Sequence, residues 1–235
     1  METKRKLFFI EGNISSGKSS LLELLMERGV VVFQEPIHIW KEHYVEKNGD
    51  NILGLFYSNM KRWSFQFEVA VMNTRFKNIM KALNSNHNLM IIERSLLTDM
   101  KVFAPNLYAM NEMTDMEWKI YCDWYETFME LIEERLKQVD VQFIYIKTDP
   151  EICFERKLQR DRTEEKDVIP DYFISLHERH EKWLNDVDSD HKVHIIDGNQ
   201  NRINVYNNTI NLLFRGKSIE NTKTLYDHLL DDVTK

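Results

Sequence analysis

Five short apolar runs punctuate the chain, at residues 6–10, 30–33, 89–92, 141–146 and 193–196. Within each run both alternating faces are apolar, the pattern of strands covered on both sides of a parallel sheet. Between the runs, apolar residues recur at three- and four-residue spacing, most extensively over 51–83 and 115–137, which predicts long helices there. Alternation of this kind predicts an α/β fold of three layers, a central parallel sheet of about five strands flanked by helices. Gly29 stands where the first helix must stop before the second strand begins. Pro150 reads as the first-turn proline of the helix after the fourth strand, with Thr148 or Asp149 as its cap. The pattern predicts one domain over 1–215, followed by a polar tail over 216–235 that either docks as a short helix through Leu225, Leu229 and Leu230 or frays.

Composition narrows the class. A chain of 235 residues with 43% hydrophobic and 29% charged content is an ordinary globular protein. Its net charge of −7 lacks the basic footprint of a nucleic-acid binder, so anionic ligands must be caught by local arginines. Two cysteines, Cys122 and Cys153, form no disulfide framework and suit a reducing compartment, where both are expected to be inert buried thiols. No apolar run is long enough to cross a membrane, and the first strand begins too early for a signal or transit peptide. The expectation is a cytoplasmic protein, or one shared between cytoplasm and nucleus, with no membrane and no nucleic-acid partner.

The densest chemistry follows the first run. There an apolar segment feeds into Gly12, Asn13, Ile14, Ser15, Ser16, Gly17, Lys18, Ser19 and Ser20, and an amphipathic stretch (Leu21, Leu22, Leu24, Leu25) comes next. This is G-x-x-x-x-G-K-S in the strand–loop–helix setting that a phosphate-binding loop requires. Its glycines let backbone N–H groups and the helix N-terminus point at phosphate oxygens. Lys18 would reach the outer phosphates, and the Ser19 hydroxyl would sit on Mg²⁺. The loop therefore predicts binding of ATP or another nucleoside triphosphate.

Open parallel sheets bind ligands beyond the carboxyl ends of their strands. Glu35 follows the second strand as a candidate general base, unless it only caps a helix or pairs with Arg94. Glu93 and Arg94 follow the third: Glu93 could complete a magnesium shell through water or pair with Lys18, and Arg94 could hold Glu35 and a phosphate oxygen together. Ser95 reads as a helix cap. Arg156 and Arg160 share a helical face and, with Arg162, predict a cationic lid over a transferring phosphoryl group, the alternative being a solvated charged helix. Trp40, Tyr57, Phe67 and Phe103 are candidate walls for a planar substrate, whereas Trp63 and Phe65 are expected in the core. Arg75 and Asp99, polar residues among apolar neighbours, are candidates for reading base edges.

With these motifs in place, the chain resembles the deoxynucleoside kinases of the deoxycytidine/deoxyguanosine kinase type. The likeness runs from Lys6 to about Leu213. It rests on I-E-G-N-I-S-S-G-K-S from Ile10, Q-E-P from Gln34 with Trp40, K-R-W-S-F-Q-F-E from Lys61, E-R-S-L-L-T-D from Glu93, N-L-Y from Asn106, W-K-I-Y-C-D-W from Trp118 and R-D-R-T-E-E from Arg160. The resemblance implies a P-loop kinase fold and transfer of a γ-phosphoryl group from ATP to the 5′-hydroxyl of a deoxynucleoside in salvage. It implies Glu35 as the base with Arg94 beside it, Lys18, Ser19 and Glu93 at the triphosphate and metal, and Arg160 and Arg162 in the lid. Tyr57 and Glu165 would hold the sugar 3′-hydroxyl, Tyr57 also excluding a ribose. Trp40 and Phe103 would sandwich the base, and the loop at Asp197 would sense the base of the donor. A homodimer built on two long helices is implied as well.

One position departs from the family pattern. Glu68 stands where a glutamine is usual after W-S-F-x-F. An ionised carboxylate only accepts hydrogen bonds, which matches the adjacent N1–H and N2–H donors of guanine and leaves the N3 lone pair of cytosine facing it. With Arg75 donating to O6, this leans toward deoxyguanosine or purines, deoxycytidine being the other candidate. The alternative is that Arg75 neutralises Glu68, which then sets no specificity. The phosphate loop also admits a thymidylate-kinase-like enzyme acting on a monophosphate, and a GTPase or ATPase switch, the latter weakened by the absence of an N-K-x-D motif.

Overall fold

The computed structural model describes residues 4–185 and 192–214, so the tail over 216–235 lies outside the described residues. The chain begins with β1 (Lys6–Glu11), α1 (Lys18–Glu27) and the short β2 (Val32–Phe33). A π-helical turn at Ile39–His43 leads to α2 (Ile52–Ser58) and α3 (Met60–Leu83), and then to β3 (Leu89–Glu93). After β3 come α4 (Leu96–Thr98), a second π-turn (Asp99–Phe103) and α5 (Ala104–Ala109), followed by α6 (Asp115–Leu136) and β4 (Asp140–Lys147). The rest is α7 (Pro150–Arg160), a 3₁₀ turn at Thr163–Glu165, α8 (Pro170–Leu184), β5 (Lys192–Asp197) and α9 (Arg202–Leu213).

All strand pairs are parallel, in the order β2-β3-β1-β4-β5. This is the three-layer sheet that the alternation predicts, with the arrangement of a P-loop kinase. Successive side chains of a strand leave opposite faces, so β1 feeds two cores. Leu7 and Phe9 join Met90, Ile92 and Phe143 under α2, α3, α6 and α8. Phe8 and Ile10 join Ile91, Ile144 and Ile146 under α1 and α9. Phe9 lies in register with Ile92 on one side and Phe143 on the other, its ring stacked on Phe143 at 5.5 Å between centroids. No helix among the described residues is long and apolar enough to cross a membrane.

Local signals set several boundaries. Gly29, at φ 75°, takes the left-handed conformation that ends α1, as its position predicts. Thr114 and Glu117 close a reciprocal capping box at the start of α6. The single helix predicted over 51–83 is two helices: Asn59 breaks it, with extended φ and a side chain that accepts from the Arg62 N–H. Residues 30 and 31 are not part of β2, whose register with β3 covers Val32 and Phe33, although the Val31 carbonyl accepts from the Ile91 N–H at 3.0 Å. At the start of α7, Asp149 takes the cap position without a side-chain cap bond, and Thr148 Oγ1 donates to the Ser16 carbonyl at 3.1 Å.

Phe9 carries the sheet's contact with its larger core, so Phe9→Ala is expected to cost about 4 kcal/mol, read as a lower midpoint in denaturant unfolding.

Candidate active site

β1 lies between β3 and β4, where the winding of the sheet reverses, and such a reversal opens a crevice at the strands' carboxyl ends. The chain enters it at Gly12, at φ 144°, and continues through Ser15 at 58° and Gly17 at 101°. A Cβ on Gly12 would lie 2.6 Å from the Ile146 carbonyl oxygen and 2.8 Å from Ser16 Oγ, so only glycine fits. Asn13 anchors the loop from behind, its Nδ2 donating to the Phe173 carbonyl at 2.9 Å. Gly17 precedes α1 without any side-chain cap, which leaves the first-turn N–H groups free to face an anion. Lys18 Nζ folds back onto the loop, donating to the carbonyls of Gly12 at 3.0 Å and Asn13 at 2.7 Å. Burial, with the Arg94 charge behind it, lowers the pKa of Lys18 to about 7.

A cavity of about 340 Å³ runs from this loop, lined by Ile14 and Ser15 through Ser20, to Trp40, Tyr57, Phe67, Glu68, Arg75 and Phe103. Glu35, Glu93 and Arg94 line its middle, and Arg156, Arg160, Arg162 and Glu165 its other wall. Glu35 is ion-paired with Arg75, and its Oε1 lies 3.5 Å from Arg94 Nε. Burial works to raise the pKa of Glu35, but the Arg75 and Arg94 guanidiniums outweigh it and hold the carboxyl below its ordinary range. Glu93 accepts from Ser19 Oγ and from the Glu35 backbone N–H, both at 3.2 Å. Burial, then the Glu35 charge, raises the Glu93 pKa.

Arg94 reaches the cavity through a left-handed backbone, φ 64°, that costs an ordinary residue about 1 kcal/mol. Its guanidinium sits 4.8 Å above the Phe103 ring. Beneath this corner, the buried Glu11 carboxylate accepts from the Ser95 N–H at 2.9 Å, from Ser95 Oγ at 2.7 Å and from the Thr98 hydroxyl. Ser95 also caps α4, accepting from the Thr98 N–H, as its place in the sequence predicts.

At the far end, Trp40 Nε1 donates to Thr74 Oγ1 at 3.0 Å, and the ring meets Phe67 edge-on at 5.5 Å. Glu68 is 2% exposed, and its Oε2 has no hydrogen-bond partner. Burial, helped by the Glu35 charge and opposed by Arg75 and Arg94, pushes its pKa up to about 8. The Glu68–Arg75 neutralisation that the sequence leaves open does not take the form of an ion pair. Arg75 spends its two terminal nitrogens on Glu35 and Asp99 instead. Asp99, a candidate for the base edge, is fully buried and off the cavity wall: its carboxylate holds Arg75 from behind. Trp63 and Phe65 pack only partly buried at the edge of the core and line no part of the cavity.

The lid candidates are held by a carboxylate. Asp161, at φ 46°, ends α7, and the 3₁₀ turn that follows brings Glu165 between Arg160 and Arg162, with Arg162 Nη1 2.7 Å from Glu165 Oε1. Arg156 donates to the carbonyls of Ser16 at 3.3 Å and Gly198 at 3.0 Å, tying the loop after β5 to the phosphate loop. Asp197 itself is exposed and accepts from the N–H of Asn199 and from Gln200 Nε2, away from the main cavity. Cys153 is buried and Cys122 half-buried, both as free thiols.

For a metal, the donor set is two hard oxygens, Ser19 Oγ and the Glu93 carboxyl, whose pKa is raised by burial and the Glu35 charge and which a cation would hold ionised. No group of three or more His, Cys, Asp or Glu able to hold an ion occurs among the described residues. Few protein ligands and several places for water or phosphate oxygen fit Mg²⁺ better than a metal needing a full protein cage.

The family model for deoxynucleoside kinases matches residues 8–217. The chain belongs to the deoxynucleoside kinase family. A probable deoxycytidine kinase of fowlpox virus is 38% identical over 186 residues, 79% of this chain and 74% of its own. The mitochondrial deoxyguanosine kinase of Xenopus laevis is 34% identical over 206 residues, covering 78% and 74%, and human deoxycytidine kinase 32% over 200 residues, covering 77% and 76%.

In this kinase the sequence conceals the supports. Glu11 lies within the phosphate-loop motif, yet nothing in its spacing says that it organises the corner carrying Arg94. Glu164, beside the lid arginines, pairs with Lys41 at 3.0 Å and is reached by Asn51 Nδ2 at 3.3 Å, linking the lid turn to the segment before α2. Both contacts span too much sequence for periodicity to signal. Glu11→Ala would leave the Ser95 N–H and the Thr98 hydroxyl buried without their acceptor, and is expected to destabilise the kinase by about 3 kcal/mol, read as a drop in thermal midpoint.

Proposed function

We propose that the kinase transfers the γ-phosphoryl group of ATP, or of another nucleoside triphosphate, to the 5′-hydroxyl of a 2′-deoxynucleoside in nucleotide salvage. The observation that carries this reading is the placement of Glu35 midway along one cavity, between an anion-binding loop and an aromatic slot. A hydroxyl bound there would face the triphosphate on one side and an ionised carboxylate on the other.

The proposed roles follow from position. The loop N–H groups and Lys18 bind the donor phosphates, and Lys18 regains full charge when an anion replaces its carbonyl partners. Ser19 and Glu93 would hold Mg²⁺, which when bound supplies charge neutralisation at the phosphates. Glu35 accepts the proton of the attacking 5′-hydroxyl. Its depressed pKa makes it a weak base that is always ionised at neutral pH, which suits a loose transition state where positioning matters more than basicity. Arg94 keeps Glu35 oriented, and Asp99 does so through Arg75. Arg156, Arg160 and Arg162 offset charge on the transferring group. Tyr57 and Glu165 take the sugar 3′-hydroxyl, the Tyr57 ring filling the space a ribose would need. Trp40, Phe67 and Phe103 clamp the base, and Glu68 meets its edge. An ionised Glu68 matches the paired donors of guanine, the basis of the lean toward deoxyguanosine and purines, whereas the neutral acid that burial favours offers a donor and an acceptor as an amide does and keeps deoxycytidine as the other candidate. Asp197 sits on the loop that Arg156 brings beside the donor phosphates, in reach of the donor base.

A homodimer in the cytoplasm fits the surface. Met116, Ile120, Trp124 and Leu131 are exposed on α6, spaced as one helical stripe, and free cysteines suit a reducing compartment.

Glu35→Gln is expected to lower kcat by roughly 10²- to 10⁴-fold while deoxynucleoside binding, measured by calorimetry, stays near native; near-normal turnover would refute the base assignment. Trp124→Glu is expected to give a monomer in light scattering where the native kinase gives a dimer, and an unchanged mass would remove the α6 stripe as the interface.

A further inference from the structure

Consecutive glutamates in the 3₁₀ turn at Thr163–Glu165 serve different neighbours. Glu165 lines the cavity and takes Arg160 and Arg162, the cations proposed for the transferring phosphoryl group. Glu164 leaves toward the segment that builds the aromatic slot. Its Oε1 lies 3.0 Å from Lys41 Nζ and accepts from Asn51 Nδ2 at 3.3 Å. Burial works to raise the Glu164 pKa, but hydrogen bonds from Lys41, from its own N–H and from Asn51 outweigh it and hold the carboxyl below its ordinary range. Lys41 directly follows Trp40 in the first π-turn, and Trp40 lines the cavity. Asn51 uses both ends of its amide: Nδ2 serves Glu164, and Oδ1 accepts from the Gly54 N–H at 2.9 Å to cap α2, the helix of Leu53 and Tyr57. An antiparallel bridge between Val45 and Asn51 folds the intervening chain back, so Lys41 and Asn51 meet on one carboxylate oxygen. The lid turn packs directly on the start of α2, where a Cβ on Gly54 would lie 3.5 Å from Glu164 Cγ.

We infer that Glu164 is a positioning residue that couples the two substrates: through Lys41 and Asn51, closure of the lid turn on the donor phosphates tightens the grip on the deoxynucleoside. The inference rests on the deoxynucleoside kinase reading above and deepens it. A three-residue turn pinned on both sides cannot shift one glutamate without the other. Donor phosphates at the loop compete with Glu165 for Arg160 and Arg162, and draw them inward together with the turn. Glu164 passes that shift to Lys41 beside Trp40, and to Asn51 at the head of the helix that carries Tyr57. A deoxynucleoside held between Trp40 and Tyr57 returns the same constraint to the turn, so the coupling runs both ways. Neither Glu164 nor Lys41 lines the cavity, and neither touches a substrate bound in it. The Lys41 side chain is 39% exposed and that of Glu164 10%, so the link is a modest one, sized for the lower end of coupling between sites, about fivefold.

The experiment is calorimetry of deoxyguanosine and of deoxycytidine binding to the full chain, alone and with the magnesium complex of the β,γ-imido analogue of ATP at saturation. The coupling factor is the ratio of the two dissociation constants. The native kinase is expected to bind a deoxynucleoside about fivefold more tightly with the analogue present, and the analogue more tightly by the same factor with the deoxynucleoside present. In Glu164→Gln and in Lys41→Met the factor is expected to fall to within about twofold of unity. A merely structural weakening would lower affinity with and without the analogue alike and leave the factor as it is. That result, or a factor of unity in the native kinase, overturns the proposal. Lys41 is exposed enough for Lys41→Met to test the link even where Glu164→Gln fails to fold. Failure of the native chain to bind either deoxynucleoside would instead overturn the substrate reading itself, a separate outcome of the same titrations.

Discussion

Gly12 can press against the Ile146 carbonyl only because it has no Cβ, and that approach lets the chain leaving β1 curl into a loop whose amides face inward. The rest of the catalytic end is arranged around it. Thr148 and Arg156 reach the loop through the Ser16 carbonyl, and Asn13 ties it to α8. Lys18 is held over the loop's own carbonyls, its charge weakened by burial. The loop is thus pre-formed around a place for negative charge, and little reorganisation remains when an anion arrives.

The second constraint is electrostatic. Taking ions out of water costs several kcal/mol each unless each finds a partner, and the crevice between β1, β3 and α3 holds more carboxylates than guanidiniums. Glu11 gathers three donors from the corner after β3, which offset part of its burial, although burial still raises its pKa. Glu35 meets the cost by taking Arg75 and Arg94, which leaves it ionised and oriented. Glu68 joins no ion pair, and burial raises its pKa, as it does for Glu11 and Glu93. An ionised carboxyl at Glu35 and a raised pKa at Glu68 belong to one allocation of charge.

Much of this is legible along the chain because the signals are local. The strand–loop–helix at Gly12 to Ser19, the cap at Ser95 and the stop at Gly29 each depend on a few neighbouring residues. The apolar runs announce a sheet covered on both faces because every side chain in them needs cover. Where a boundary depends on distant partners, the pattern misleads. Asn59 interrupts a helix that periodicity carries through it, and the cap of α7 falls to Asp149 while Thr148 bonds a carbonyl across the crevice. Asp99 looks like a base reader by its polarity alone, and becomes a support for Arg75 once the π-turn buries it.

What the sequence determines by itself is the inventory: an α/β chain, a loop for phosphate, acids and arginines at the strand ends, and a carboxylate where a family pattern has an amide. Those follow from residue type and short-range spacing, which the chain carries wherever it folds. Only the tertiary structure decides which charge answers which. Arg75 lies near Glu68 on the same helix, and by spacing alone could have paired with it. It turns instead to Glu35 and Asp99, brought in by β2 and the corner after β3. Electrostatic partnership depends on distance and dielectric, and both are properties of the packed crevice.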